Sequence, residues 1–275
     1  MLKYARIALL VVCSVIGFMV AFMIIVWRPF NPKNTYIVTR YFLAPVARLV
    51  GIKVHITYPD FLKNYAGKGV VYAANHQSNW DIVALADCIL PGTVAIGKKS
   101  LVWVPLFGVV YFLSGCVRLD RENKTKAMAT MNQVSKDLTA NRYSIWIFPE
   151  GTRSKGKGLG KFKTGPVLTA SQAGVPLIPI VASSYINNFD MNRWNNGHLV
   201  MEYLEPIVYP SFDLKNREDV RELKKRTNDL REKFVAKIAE LDEKVRVMNE
   251  KEGVTPVIIP EAAATEEKQD SSAGQ

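Results

Sequence analysis

Apolar and polar positions alternate with very different periods along this chain. From Ile7 to Trp27 there is no charged residue over twenty-one positions. A helix of that length is about 31 Å long, close to the thickness of a bilayer's hydrocarbon core. Lys3 and Arg6 precede the run, Arg28 follows it, and Trp27 stands where an interfacial aromatic belongs. A core helix of a soluble domain would keep a polar face, which this run lacks. A cleaved signal peptide would have a shorter apolar core and a small-x-small site, whereas this run ends Ile-Ile-Val-Trp-Arg-Pro. The pattern predicts a membrane anchor over residues 1–28, which either spans or dips into one leaflet. Next comes Tyr36–Val50, apolar but interrupted by Arg40 and Arg48. It reads as an amphipathic interfacial segment within 29–52, its arginines reaching toward lipid phosphates.

Beyond residue 52 the pattern changes to short runs rich in Val, Ile and Tyr. Val54–Thr57, Val70–Ala74, Thr93–Gly97, Cys116–Leu119, Ser144–Phe148, Leu177–Ala182 and His198–Leu204 read as strands. Several are apolar throughout, as expected where both faces of a sheet are covered. Helical stretches at 81–90, 124–140 and 164–174 lie between them. The alternation predicts an α/β domain over 53–248, with a mixed, largely parallel sheet flanked by helices. Apolar residues at steps of three and four predict an amphipathic helix over 216–248, which packs onto the domain more readily than it dimerises as a coiled coil. Residues 249–275, with two basic and six acidic side chains, read as a disordered acidic tail.

Charge narrows the possible partners. Net charge is +11, and it is clustered. Residues 1–80 hold nine Lys/Arg against one acid, Asp60, and residues 142–165 hold six against Glu150. Such patches suit nucleic acid, anionic lipid or a phosphorylated ligand. The uncharged N-terminal run favours the membrane, so no nucleic-acid partner is expected. The four basic residues after the run (Arg28, Lys33, Arg40, Arg48) outnumber the two before it, which leaves the domain on the cytoplasmic side. Three dispersed cysteines (Cys13, Cys88, Cys116) and three histidines argue against a disulfide framework and a metal cage.

Two sequence blocks carry chemistry. The first, Asn75-His76-Gln77-Ser78-Asn79-Trp80-Asp81, follows a predicted strand. An Asp five residues after a strand-end His can fold back, fix the imidazole tautomer and leave the other nitrogen free as a base. A surface histidine followed by a helix-capping aspartate would share that spacing. The second, Phe148-Pro149-Glu150-Gly151-Thr152-Arg153-Ser154, also leaves a strand. Its Pro and Gly make a tight turn, and Arg153 offers a planar fork for phosphate. A nucleotide P-loop needs Gly-Lys-Ser/Thr after a spaced glycine, but Gly160-Lys161 is followed by Phe162. A flexible lysine-rich segment facing lipid headgroups fits Lys155, Lys157, Lys161 and Lys163 better.

These two blocks resemble signature blocks of the glycerolipid acyltransferases. Gly115-Cys116-Val117-Arg118-Leu119-Asp120-Arg121 is similar to that family's second block and Val175-Pro176-Leu177-Ile178-Pro179-Ile180 to its fourth. The blocks stand in family order over roughly 30–245, and the anchor and Gly97-Lys98-Lys99-Ser100-Leu101 resemble the bacterial branch. Position 118, usually apolar or aromatic in the family, is Arg, free to pair with Asp120 or to join a phosphate patch. The resemblance implies acyl transfer from an acyl carrier protein or coenzyme A thioester to the 2-hydroxyl of lysophosphatidic acid. His76 would be the general base and Asp81 its orienting partner. Lys98, Arg121 and Arg153 would hold the acceptor phosphate, with Lys99 a rival for Lys98. Glu150 and Gly151 would shape the pocket, Thr152 would stand with them among the substrate-binding residues, and backbone N–H groups near Gly151–Thr152 are the candidates to steady the oxyanion. It further implies no cofactor or metal beyond the thioester co-substrate, no acyl-enzyme intermediate, and a bacterial cytoplasmic (inner) membrane location. The rival readings are another acceptor, such as glycerol 3-phosphate or a different lysolipid, and a non-catalytic protein that binds anionic lipid.

Overall fold

The computed structural model describes residues 1–255. The N-terminal helix α1 runs Leu2–Val26. Helix α2 (Lys33–Val38) continues through one π-helical turn, Thr39–Leu43, into α3 (Ala44–Leu49). The α/β domain then runs β1 (Lys53–Thr57), β2 (Val71–Ala74), α4 (Asp81–Ala84), β3 (Thr93–Lys98), α5 (Phe107–Leu113), β4 (Val117–Leu119), α6 (Lys124–Thr139), β5 (Ser144–Ile147), α7 (Gly165–Ala173), β6 (Leu177–Ala182), β7 (His198–Tyr203) and α8 (Arg217–Lys251). The strands form one sheet in the order β1-β7-β6-β2-β5-β3-β4. All pairings are parallel except β6 with β7. This is the mixed, largely parallel sheet the strand pattern predicts.

The central strands read as continuous apolar runs because both faces are covered. Alternate side chains of β2 go to opposite sides. Val71 and Ala73 join Val134, Leu138, Val167, Leu230 and Phe234 of the α6–α8 layer. Tyr72 and Ala74 join Val50, Ala84, Leu85 and Tyr203 on the other face. Helix α8 matches the spacing seen in the sequence: Leu223, Thr227, Leu230, Phe234, Leu241 and Val245 are its buried stripe. Phe234 is fully buried, so truncation to Ala would cost about 3–5 kcal/mol.

Two expected boundaries move, and one helix was not expected. The helix expected over 81–90 stops at Ala84 and tightens into a 3-10 turn at Ala86–Cys88, ahead of Pro91. Helix α5 hides in the sequence because Phe107–Leu113 is apolar without a polar face. Helix α8 extends to Lys251, past the expected boundary at 248; residues 256–275 of the expected tail lie outside the described residues.

Helix α1 is apolar on its outer surface, with Val12, Ile16, Met19 and Met23 exposed. Both of its ends touch the domain. Arg6, buried, donates to the carbonyls of Met191, Arg193 and Trp194 in the loop before β7. At the other end Ala21 and Ile25 pack against Val110 of α5. The helix therefore crosses from the β1–β7 margin of the sheet to the β3–β4 margin. Arg40, placed by the sequence at a lipid surface, forms an ion pair with Asp87 at 2.5 Å.

Candidate active site

Parallel strands deliver their C-terminal ends to one edge, and the loops there make the natural site of an α/β sheet. β2 and β5 are neighbours in register, Ala73 opposite Ile147. Each continues for a few residues, so His76 and Glu150 emerge side by side. β6 flanks β2 on its other side and delivers Ser183 and Tyr185.

His76 and Asp81 come together as their spacing predicts. The loop folds back until His76 Nδ1 lies 2.6 Å from Asp81 Oδ2, leaving Nε2 as the free nitrogen. The Asp81 side chain is 1% exposed and that of His76 22%. A carboxylate so buried needs donors on its other lone pairs. Asp81 Oδ2 also accepts the backbone N–H groups of Gln77 (2.6 Å) and Ser78 (3.1 Å), and Oδ1 accepts the Tyr185 hydroxyl at 2.6 Å. The imidazole plane is fixed by stacking on Phe148, centroids 4.0 Å apart and 10° between planes. The loop is tied to β6 through Gln77, whose Nε2 donates to the Ser183 carbonyl and whose Oε1 accepts the Tyr185 amide. Tyr185 has its own pKa driven well above the usual phenol range by burial and by the Asp81 charge, so it stays a donor. Sequence reasoning missed it: Tyr185 lies 104 residues from Asp81, and no spacing rule links them.

Glu150 faces inward rather than toward a ligand. Its Oε1 accepts the His76 amide at 2.7 Å and its Oε2 the Gly160 amide at 2.9 Å. Burial pushes its pKa up from the usual carboxylate range. It braces the histidine loop against the lysine-rich loop. Gly151 takes φ +70° to make the turn, and its N–H is spent on the Phe148 carbonyl, which removes it from the set of free oxyanion donors. Thr152 beside it is exposed.

The cationic residues gather at the same edge. Arg153 is exposed and donates to Asn79 of the histidine loop. Arg121, leaving β4, donates to the Gly151 carbonyl at 2.7 Å. Lys98 and Lys99 close β3 and share with Arg121 a cleft of about 200 Å³, lined also by Trp103, Leu119, Asp120 and Glu122. Lys98 faces Glu122 at 3.4 Å and Lys99 faces Asp120 at 3.9 Å. Arg118 neither enters this cleft's lining nor pairs with Asp120; its guanidinium lies over the Phe112 ring, 4.6 Å from the centroid. An anion arriving at the cleft thus meets three cations partly compensated by two carboxylates. Among the described residues no group of three or more His, Cys, Asp or Glu side chains is arranged to hold a metal ion.

Comparison with known proteins places this geometry in context. The acyltransferase family matches residues 53–183, which contain the His76–Asp81 pair and both arginines. The 1-acyl-sn-glycerol-3-phosphate acyltransferase of Haemophilus influenzae is 41% identical over 245 residues, covering 89% of this chain and 98% of that protein. The enzyme of the same name from Escherichia coli is 39% identical, covering 89% and 96%. The crystal structure of the 1-acyl-sn-glycerophosphate acyltransferase of Thermotoga maritima superposes with a TM-score of 0.57 over 86% of this chain and 99% of that one; at 18% identity that likeness speaks to the fold.

Proposed function

This chain belongs to the bacterial 1-acyl-sn-glycerol-3-phosphate acyltransferases, and from that premise we propose how its residues carry out the reaction. It acylates lysophosphatidic acid to phosphatidic acid in phospholipid synthesis. The observation that carries the mechanism is the 2.6 Å contact between His76 Nδ1 and the buried Asp81. With Nδ1–H held there, Nε2 accepts the proton of the acceptor's 2-hydroxyl. The alkoxide oxygen attacks the thioester carbonyl, forming the new C–O bond. As the tetrahedral intermediate collapses the C–S bond breaks, and the imidazolium returns its proton to the departing thiolate. The protein supplies no nucleophile, so no acyl-enzyme forms. The Thr152 amide is the remaining candidate from that turn for the oxyanion.

Arg153, Arg121 and Lys98, with Lys99, hold the acceptor's phosphate. Glu150 and Gly151 shape the site from behind. The donor is an acyl carrier protein or coenzyme A thioester. Both are acidic, which the basic face at this edge suits. No cofactor enters the reaction.

The protein is membrane-associated through α1, which is long and apolar enough to enter a bilayer and has most of its length unburied. The contacts at both ends of α1 support a helix lying within one leaflet of the cytoplasmic membrane rather than crossing it. Acceptor and product then never leave the bilayer, which avoids about 0.8 kcal/mol per CH₂ of extraction.

The test is an assay of the purified full chain on lysophosphatidic acid in vesicles, with acyl carrier protein and coenzyme A thioesters supplied separately. Phosphatidic acid should form with at least one donor, and glycerol 3-phosphate and lysophosphatidylcholine should be poor acceptors. No transfer with either donor refutes the reading, and a preference for another acceptor refutes its substrate assignment.

A further inference from the structure

We propose that the segment Trp103–Val109 is a second membrane contact, inserting into the same leaflet as α1 and setting the mouth of the Lys98–Arg121 cleft at headgroup level. The proposal rests on the reading above that the acceptor is embedded in the membrane. Trp103 is 83% exposed, and Val104, Leu106 and Val109 are also turned outward. A contiguous apolar patch of this kind is seldom left to water. The segment begins at Trp103, one short 3-10 turn on from Lys98 and Lys99, both exposed. Lysines beside an outward tryptophan and aliphatic residues are the arrangement of an interface, with ammonium groups at phosphates and apolar groups below them.

The segment is built to hold its shape. Leu106 adopts φ +63°, a conformation that costs a branched side chain energy and persists only where its surroundings enforce it. Gly108 is buried beneath Val102, whose carbonyl oxygen a Cβ would approach to 2.0 Å. Backbone bonds from Phe107 to Pro105 and from Gly108 to Val104, each 2.7 Å, close the turn. The chain therefore presents Trp103, Val104 and Leu106 on a rigid turn.

The occupant is a lipid leaflet because the patch continues the apolar surface of α1. Helix α5 begins inside the segment and packs Val110 on Ala21 and Ile25 of α1, and Phe30 meets Phe112 edge-on at 5.3 Å. Around that joint Phe22, Met23, Val26 and Trp27 face outward. Trp103 also lines the cleft that holds Lys98, Lys99 and Arg121. It stands at the border between lipid and phosphate site, so an acceptor can slide sideways from the leaflet with its phosphate meeting the cations first.

The test uses the full chain bound to phosphatidylglycerol–phosphatidylcholine vesicles. The Trp103 signal is obtained as the difference between the wild type and Trp103→Phe. Lipids brominated along the acyl chain should quench that signal by about half or more, and quenching by aqueous acrylamide should fall at least about twofold against detergent-free protein without lipid. A signal untouched by brominated chains overturns the proposal. So does a Trp103 already shielded without lipid by self-association. In a second arm, Val104→Asp should raise the apparent KM for vesicle-embedded acceptor about tenfold, with a short-chain monomeric acceptor changed less than about twofold. Equal effects on both acceptors, or on neither, count against it. Lipid quenching of Trp103 in a protein that transfers no acyl group would uphold the contact and refute the activity.

Discussion

Two loops leave neighbouring strands at the same edge of the sheet and are built in opposite ways. The loop after β2 turns inward: Asp81 is buried, satisfied by backbone amides and Tyr185, and it pins an imidazole that is also stacked on Phe148. The loop after β5 turns outward: beyond Glu150 its Thr152, Arg153, Lys157, Lys161 and Lys163 are exposed, and glycines at 151, 156 and 158 take positive φ. Proton transfer needs a base held in one tautomer and direction, which burial supplies. Capture of a headgroup needs mobile charge in solvent, which burial would remove. On the proposed roles one sheet edge divides its labour: the inner loop would govern turnover and the outer one acceptor affinity.

That division can be broken by single substitutions. The largest effect belongs to His76→Ala, which should lower kcat about 10³-fold while vesicle binding, carried by α1, is unchanged in a flotation assay. Arg121→Ala comes next: it removes a cation and its bond to the Gly151 carbonyl, and steady-state kinetics should show acceptor KM up about tenfold with kcat nearly retained. Tyr185→Phe removes one of the donors to Asp81 and leaves the others, so kcat should fall only about threefold, with KM unmoved.

The smallest effect lies at the β1 margin and sharpens the contrast by leaving kcat alone. There His55 and His198 lie 2.8 Å apart, and Glu252 bridges His198 and Lys53. Lys53 and then Asn195 hold the Glu252 carboxyl down to about 2, while burial and then His198 lower the pKa of His55. Both folded-state values lie below the unfolded ones. Their stabilisation is therefore present above the unfolded pKa values and is lost on acidification, first through the histidine range and then between the usual carboxylate value of 4.5 and about 2. Thermal melts should show the wild type's advantage over Glu252→Gln shrinking as pH falls toward 3, with an equal kcat at neutral pH.

Much of this was legible in the residues themselves. The stripe from Leu223 to Val245 announced α8, and the five-residue step from His76 to Asp81 announced the dyad. Contacts that close across long separations were not legible: Tyr185 to Asp81, Arg6 to the carbonyls of 191–194, and Arg40 to Asp87. Glu150 was legible as a site residue but not in its direction, because orientation depends on the Gly160 and His76 amides that only the fold brings within reach. Helix α5 escaped because outward-facing and core-facing apolar residues look alike in a sequence.

Measuring kcat and acceptor KM in parallel for Asp81→Asn and Arg153→Ala on vesicles of one composition separates the base from the phosphate clamp. Asp81→Asn should lose about 10²-fold or more in kcat with KM within about threefold, and Arg153→Ala should do the reverse, raising KM about tenfold with kcat within about threefold. An Asp81→Asn protein that turns over normally, or an Arg153→Ala protein that loses only kcat, would contradict that division of roles.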